Sequence, residues 1–149
     1  MKLSPVKILV FLLLLVFYGS LLAHTIQLPA AKDLPRQIKI GEEILAGNFD
    51  ILYKNTFSYT EPEQKYYNHH WLSGVVFYLV DSAAGWNGLV ILKIFVLLST
   101  FVLLFKIALK RADFWLVALF SLPTIIILNS RTDPRPEIFS YLLIAIYLY

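Results

Sequence analysis

The chain has 149 residues, 58% of them hydrophobic and 15% charged, with a mean hydropathy of +0.68, a profile that excludes an ordinary soluble domain and fits a membrane protein. It contains no cysteine, so a disulfide framework, a thiolate metal site and a cysteine nucleophile are excluded. The net charge of +3 comes from 13 basic residues scattered along the sequence, which argues against a nucleic-acid footprint.

The first apolar segment runs from Val6 to Ala23. Ser4 supplies an N-cap, Pro5 suits a first helical turn, and Lys2 and Lys7 give a positive flank. A cleaved signal peptide is the rival reading, but a cut after Ala23 would place Leu21 where a small residue is wanted, so an uncleaved anchor is expected.

A polar block follows, forming a loop over 24–86. Asp33-Leu34-Pro35-Arg36 reads as a helix start and Gly47-Asn48 as its end. Leu34, Ile38, Gly41 and Leu45 share one face of this amphipathic helix, which suits a membrane surface or the flank of a bundle. Asn48 to Lys65 reads as irregular or short extended structure, and Tyr66, Tyr67 and Trp71 as interfacial aromatics. From Trp71 to Val80 an apolar run too short to span is closed by Asp81 and the small residues up to Gly85.

Three further spans are expected at 87–105, 114–128 and 138–149, the second kinked by Pro123 and the last short of the ~20 residues a crossing needs. That last feature reads as the mark of a fragment. The expected fold is thus an all-α polytopic membrane protein of about four transmembrane helices, the last truncated, with a large first extracytoplasmic loop. Lys2, Lys7, Lys106, Lys110 and Arg111 crowd span ends on one side, which favours a cytoplasmic amino terminus. The long loop and the Arg131–Glu137 turn then share the outer face.

Few residues carry chemistry. Asp33 caps the amphipathic helix on the plain reading; on the functional one it is a general base facing an acceptor hydroxyl or a carboxylate holding a metal near a phosphate leaving group. Glu42 and Glu43 read as a solvated helix face, and Asp50 as a turn residue. His69 and His70, taken as adjacent helical positions, point about 100° apart and cannot share one ion, though either could meet an anionic headgroup. Arg131, Asp133, Arg135 and Glu137 form a charged turn pinned by Pro134 and Pro136. Such charges between spans are paired or functional, with arginine gripping a phosphate and Asp133 or Glu137 available to a metal. Lys93 is expected to snorkel outward from its span.

Asp33-Leu34-Pro35-Arg36, Gly41-Glu42-Glu43-Ile44-Leu45, Asn55-Thr56-Phe57-Ser58-Tyr59-Thr60, Asn68-His69-His70-Trp71-Leu72-Ser73, Gly85-Trp86-Asn87-Gly88-Leu89 and Arg135-Pro136-Glu137-Ile138-Phe139-Ser140-Tyr141-Leu142 together resemble the amino-terminal part of GT-C superfamily membrane glycosyltransferases. The resemblance is to the RgtA/B/C/D-like, dolichyl-phosphate-mannose-transferase-like group, and covers nearly the whole chain. It implies inverting transfer of a sugar from a polyprenyl-phosphate donor to a glycan, lipid or protein acceptor on the outer face of the inner membrane, with a divalent cation as a possible cofactor. It also implies Asp33 as the acidic catalytic position, although Leu34 follows it where many members carry a glutamate. Arg131, Arg135, His69 and His70 would bind the lipid phosphate. The alternative is a non-enzymatic multi-pass membrane protein, a transporter part or assembly subunit, whose outer loop binds a partner.

Overall fold

The apolar run after Ser4-Pro5 forms helix α1, Pro5–His24. The computed structural model describes residues 4–24, 33–58, 60–61, 64–129 and 134–149. Along α1, Leu14, Tyr18 and Leu22 recur at the four-residue spacing of one helix face and are buried, while Val6, Leu9, Leu13 and Val16 stay exposed on the other. A helix apolar all round but covered along one stripe has faces that water does not stabilise. Its buried stripe meets the later part of α3, with Phe11 and Phe105 ring centroids 4.8 Å apart and Tyr18 and Phe101 5.5 Å apart. Rising numbers in one helix meet falling numbers in the other, so the two run antiparallel. Lys7 also reaches the Phe114 ring, 5.7 Å from its centroid. Lys7, Lys106, Lys110 and Arg111 therefore gather at one end of the bundle, as the sequence grouping expects.

Helix α2, Leu34–Leu45, begins with proline in its first turn, where a missing N–H costs nothing. It ends where Gly47, at φ 87°, lets its own N–H reach the Ile44 carbonyl (3.0 Å) and the Asn48 N–H reach that of Glu43 (2.9 Å). This pair of bonds satisfies the last carbonyls of the helix. The packed face differs from the expected one. Leu45 is 51% exposed, and Gln37, at 5%, is buried with Ile40, Gly41 and Ile44. The rotation follows from the line of approach: a side chain on Gly41 would run into the Gly74 carbonyl group, and one on Gly74 would stand 2.7 Å from the Gln37 carbonyl oxygen. The two helices cross backbone to backbone over paired glycines, a contact only small residues permit.

The loop beyond α2 holds one 3-10 turn, Phe49–Leu52, and returns antiparallel to it. Lys54 bridges Lys65, Tyr66 N–H donates to the Tyr53 carbonyl (3.1 Å) and Asn68 N–H to that of Leu52 (2.9 Å). Ile51 closes a small core with Ile40 and Ile44.

Helix α3, Trp71–Ala108, is broken at Gly85, where φ 58° and ψ −154° leave the helical region. Its limbs, 71–84 and 86–108, correspond to the expected interfacial run and span. Unbroken, α3 would hold Phe77 about 50 Å from Lys110. Yet helix α5, Glu137–Leu148, touches both regions: the Phe77 and Phe139 ring centroids lie 5.6 Å apart, and Lys110 Nζ donates to the Tyr149 carbonyl at 2.8 Å. Phe139 to Tyr149 covers only ~15 Å of helix, so the first limb must fold back at Gly85.

Lys93 corrects the expectation of a snorkelling side chain. It is 0% exposed and engaged inside the structure, because α3 turns that face toward the bundle core beside Leu89, Val96 and Leu97.

Helix α4, Phe114–Asn129, runs through Pro123 without ending. Proline removes one backbone donor, and the hydroxyls around it occupy neighbouring carbonyls, Ser121 on Ala118 (2.7 Å) and Thr124 on Phe120 (2.9 Å). All regular elements among the described residues are helical. Two of them, over Pro5–Ala23 and Trp71–Ala108, are long and apolar enough to cross a membrane; α4 and α5 are shorter apolar helices.

Candidate functional site

The first limb of α3 carries a partner on each flank, α2 through the glycine crossing and α5 through Phe139. Each junction opens a cleft. One, about 380 Å³, is lined by Leu34, Pro35, Ile38, Lys39 and Glu42 of α2 with Asp81 and Trp86 from the two sides of the Gly85 break. The other, about 360 Å³, is lined by His69, His70, Leu72, Ser73 and Val76 with Pro136, Phe139, Leu142 and Leu143.

Asp33 stands at the amino-terminal edge of α2, beside the first cleft. Its side chain makes no capping hydrogen bond, so the plain reading of a carboxylate cap does not hold. The carboxylate is 56% exposed and pairs with Arg36 one helical turn on, at 3.5 Å. Further along α2, Lys39 Nζ lies 2.9 Å from Glu42 and 3.1 Å from Glu43. The hydrogen bonds to Glu42 and then Glu43 raise the Lys39 pKa above its ordinary value. Glu43 is held below its ordinary value by the Asn48 amide and then by Lys39. A raised lysine gives its stabilisation below the unfolded value near 10.5 and loses it as pH rises through the folded one. A lowered glutamate gives its own above about 4.5 and loses it as pH falls. Both groups are at the surface, where such pairs contribute little. Circular-dichroism melts of the protein in detergent should therefore give a flat midpoint between pH 6 and pH 9 as far as this triad is concerned, and Lys39→Met should leave that midpoint unshifted. A large shift would place the triad among the determinants of α2 docking.

The histidines are not on adjacent helical positions. His70 is the N-cap of α3 and His69 precedes it, so the 100° divergence does not apply. Their rings are tilted 55° to each other, centroids 4.3 Å apart, with His69 Nδ1 3.1 Å from the Tyr67 carbonyl oxygen. The Asn68 Oδ1 accepts the His70 N–H (3.1 Å), and Ser73 Oγ donates to the His70 carbonyl (2.6 Å). This local bonding fixes the pair at the rim of the second cleft, opposite Pro136.

Of the charged turn, Arg131 and Asp133 lie outside the described residues. Arg135 is half-buried and engaged. Glu137 is exposed in the first turn of α5, where a carboxylate suits the positive end of the helix dipole. No group of three or more His, Asp or Glu side chains able to hold a metal occurs among the described residues. The structure thus brings His69 and His70 to one cleft with Pro136 at the start of α5, and sets Asp33 with α2 on the other flank of the same limb.

Sequence reasoning passed over Asp81 and Trp86. Asp81 makes no ion pair or hydrogen bond among the described residues. Its one signal was a lone carboxylate closing an apolar run, a position that is costly unless used. Comparison with protein-family models, curated proteins and solved structures gave no match to this chain.

Proposed function

We propose that the chain forms the first four spans and outer loop of a GT-C-like membrane glycosyltransferase, moving a sugar from a polyprenyl-phosphate donor to an acceptor on the outer face of the cell membrane. The observation that carries this reading is the docking of α2 and the start of α5 on one limb of α3, about 20 Å long. In this reading the loop acid and the 131–137 turn, which carries two arginines and two carboxylates, serve one lipid-linked substrate. The gathering of Lys7, Lys106, Lys110 and Arg111 at the opposite end supports a cytoplasmic amino terminus.

In this reading Asp33 takes the acceptor hydroxyl proton as the new C–O bond forms at the anomeric carbon. The bond to the donor phosphate breaks, and its electron pair stays on a phosphate oxygen. Arg135, with Arg131 and the histidine pair, offsets the charge that develops there. Removing a general base typically costs 10²–10⁴-fold. In the complete protein, Asp33→Asn is expected to lower transfer from a polyprenyl-phosphate sugar by about that factor while the helical signal stays unchanged. Unchanged transfer would remove Asp33 from this role. The exposure of Asp33 favours a second reading, a non-enzymatic protein whose outer loop docks a partner; there neither the complete native protein nor its Asp33→Asn variant transfers sugar.

A further inference from the structure

The cleft beside Gly85 has a charge imbalance. The exposed edge of α2 and Asp81 together carry Arg36 and Lys39 against Asp33, Glu42, Glu43 and Asp81. Arg36 answers Asp33 at 3.5 Å, and Lys39 is shared by Glu42 and Glu43 at 2.9 and 3.1 Å. Among the described residues, two carboxylates' worth of negative charge therefore stays uncompensated, in a chain whose net charge is +3. Asp81, which has no ion pair among the described residues, lines the cavity together with Glu42 and Trp86. A carboxylate beside an aromatic face is the combination that attracts an organic cation, through a charge-assisted hydrogen bond and through the ring quadrupole. Lys39 does not oppose this, because its ammonium is already held by two carboxylates. The rest of the α2 wall, Leu34, Pro35 and Ile38, is apolar and suits the carbon skeleton that bears the amine.

We propose that this cleft binds a primary ammonium group, with Asp81 and Glu42 as acceptors and the Trp86 indole beside it. The volume, about 380 Å³, is in the range of small-ligand sites, and two sources share the chemistry: a soluble amino sugar and an ethanolamine phospholipid headgroup. The site is independent of the transfer reading. Loss of transfer in Asp33→Asn leaves it standing, and its own failure leaves the Asp33 test unaffected.

The test uses the full chain carrying Trp71→Phe and Trp115→Phe, so that Trp86 alone fluoresces. Glucosamine is titrated in detergent, with glucose and N-acetylglucosamine as uncharged controls. In parallel, the protein is placed in nanodiscs of phosphatidylethanolamine or of phosphatidylglycerol. A Trp86 response to glucosamine but not to the controls supports the site with a soluble amine as ligand. A response confined to phosphatidylethanolamine supports it with the headgroup as ligand. Asp81→Asn should weaken the response about tenfold or more, while Asp81→Glu, which keeps the charge, should retain it. The proposal is overturned by an equal response to glucose, by indifference to both amines, or by Asp81→Asn binding as well as the native residue.

Discussion

Gly74→Leu is expected to unseat α2 from α3 and to produce the largest loss of stability available from one substitution between α2 and the Gly85 break. A Cβ at Gly74 already stands 2.7 Å from the Gln37 carbonyl oxygen and 3.4 Å from the Gly41 nitrogen. Both are backbone atoms that cannot swing aside, so the helices must separate. Overpacking costs about 1–3 kcal/mol where neighbours can shift, and here the cost falls at the top of that range. Separation also exposes Ile40 and Ile44, each worth about 1.5–3 kcal/mol when fully buried. The chain has no native cysteine, so Ile40→Cys gives a clean readout. A maleimide should label it slowly in the native background and readily once Gly74→Leu is added. Equal protection in both would show that the crossing tolerates a side chain and that α2 is held elsewhere.

Gly85→Val is the second large effect, and it acts through the backbone alone. A Cβ there meets nothing within 4 Å, but φ 58° with ψ −154° belongs to conformations that only glycine adopts freely. Holding valine in that shape costs about 1–3 kcal/mol. The escape is to continue the helix, which would carry the first limb away from α5. Phe77→Cys with Phe139→Cys reports the outcome, since the native rings sit 5.6 Å apart. A short bifunctional crosslinker should join them in the native background and fail when Gly85→Val is present. Retained crosslinking would mean that the fold-back survives without glycine.

The features legible in the sequence are those whose cause is local. Ser4-Pro5, Pro35 and Gly47-Asn48 mark helix ends through the backbone groups they satisfy or omit, and each stands within three residues of the end it marks. The run of small residues up to Gly85 marked the break in α3 for the same reason. Features set by packing were not legible. Leu45 and Gln37 exchanged places because the Gly41–Gly74 crossing sets how α2 rolls, and that pairing spans two elements. Lys93 looked like a snorkelling lysine because its sequence neighbours place it in a span but do not say which way the face points. The histidine pair was misjudged because the helix begins just after it. The cleft with Lys39, Glu42, Asp81 and Trp86 joins residues some forty positions apart, and no spacing rule connects them. Asp33 drew notice as a helix cap and through the resemblance, whereas its pairing with Arg36 was not foreseen, although one-turn spacing brings such charges together.

The glycine crossing also sets an order of events during synthesis. Gly41 leaves the ribosome roughly thirty residues before Gly74, which at ordinary elongation rates is a delay of about 2–6 s. Through that interval α2 has no limb to dock on, and its Ile40–Ile44 stripe is bare. An amphipathic helix in that position can rest on the lipid surface. The bilayer interface would then serve as a temporary partner, holding α2 until α3 emerges and replaces it.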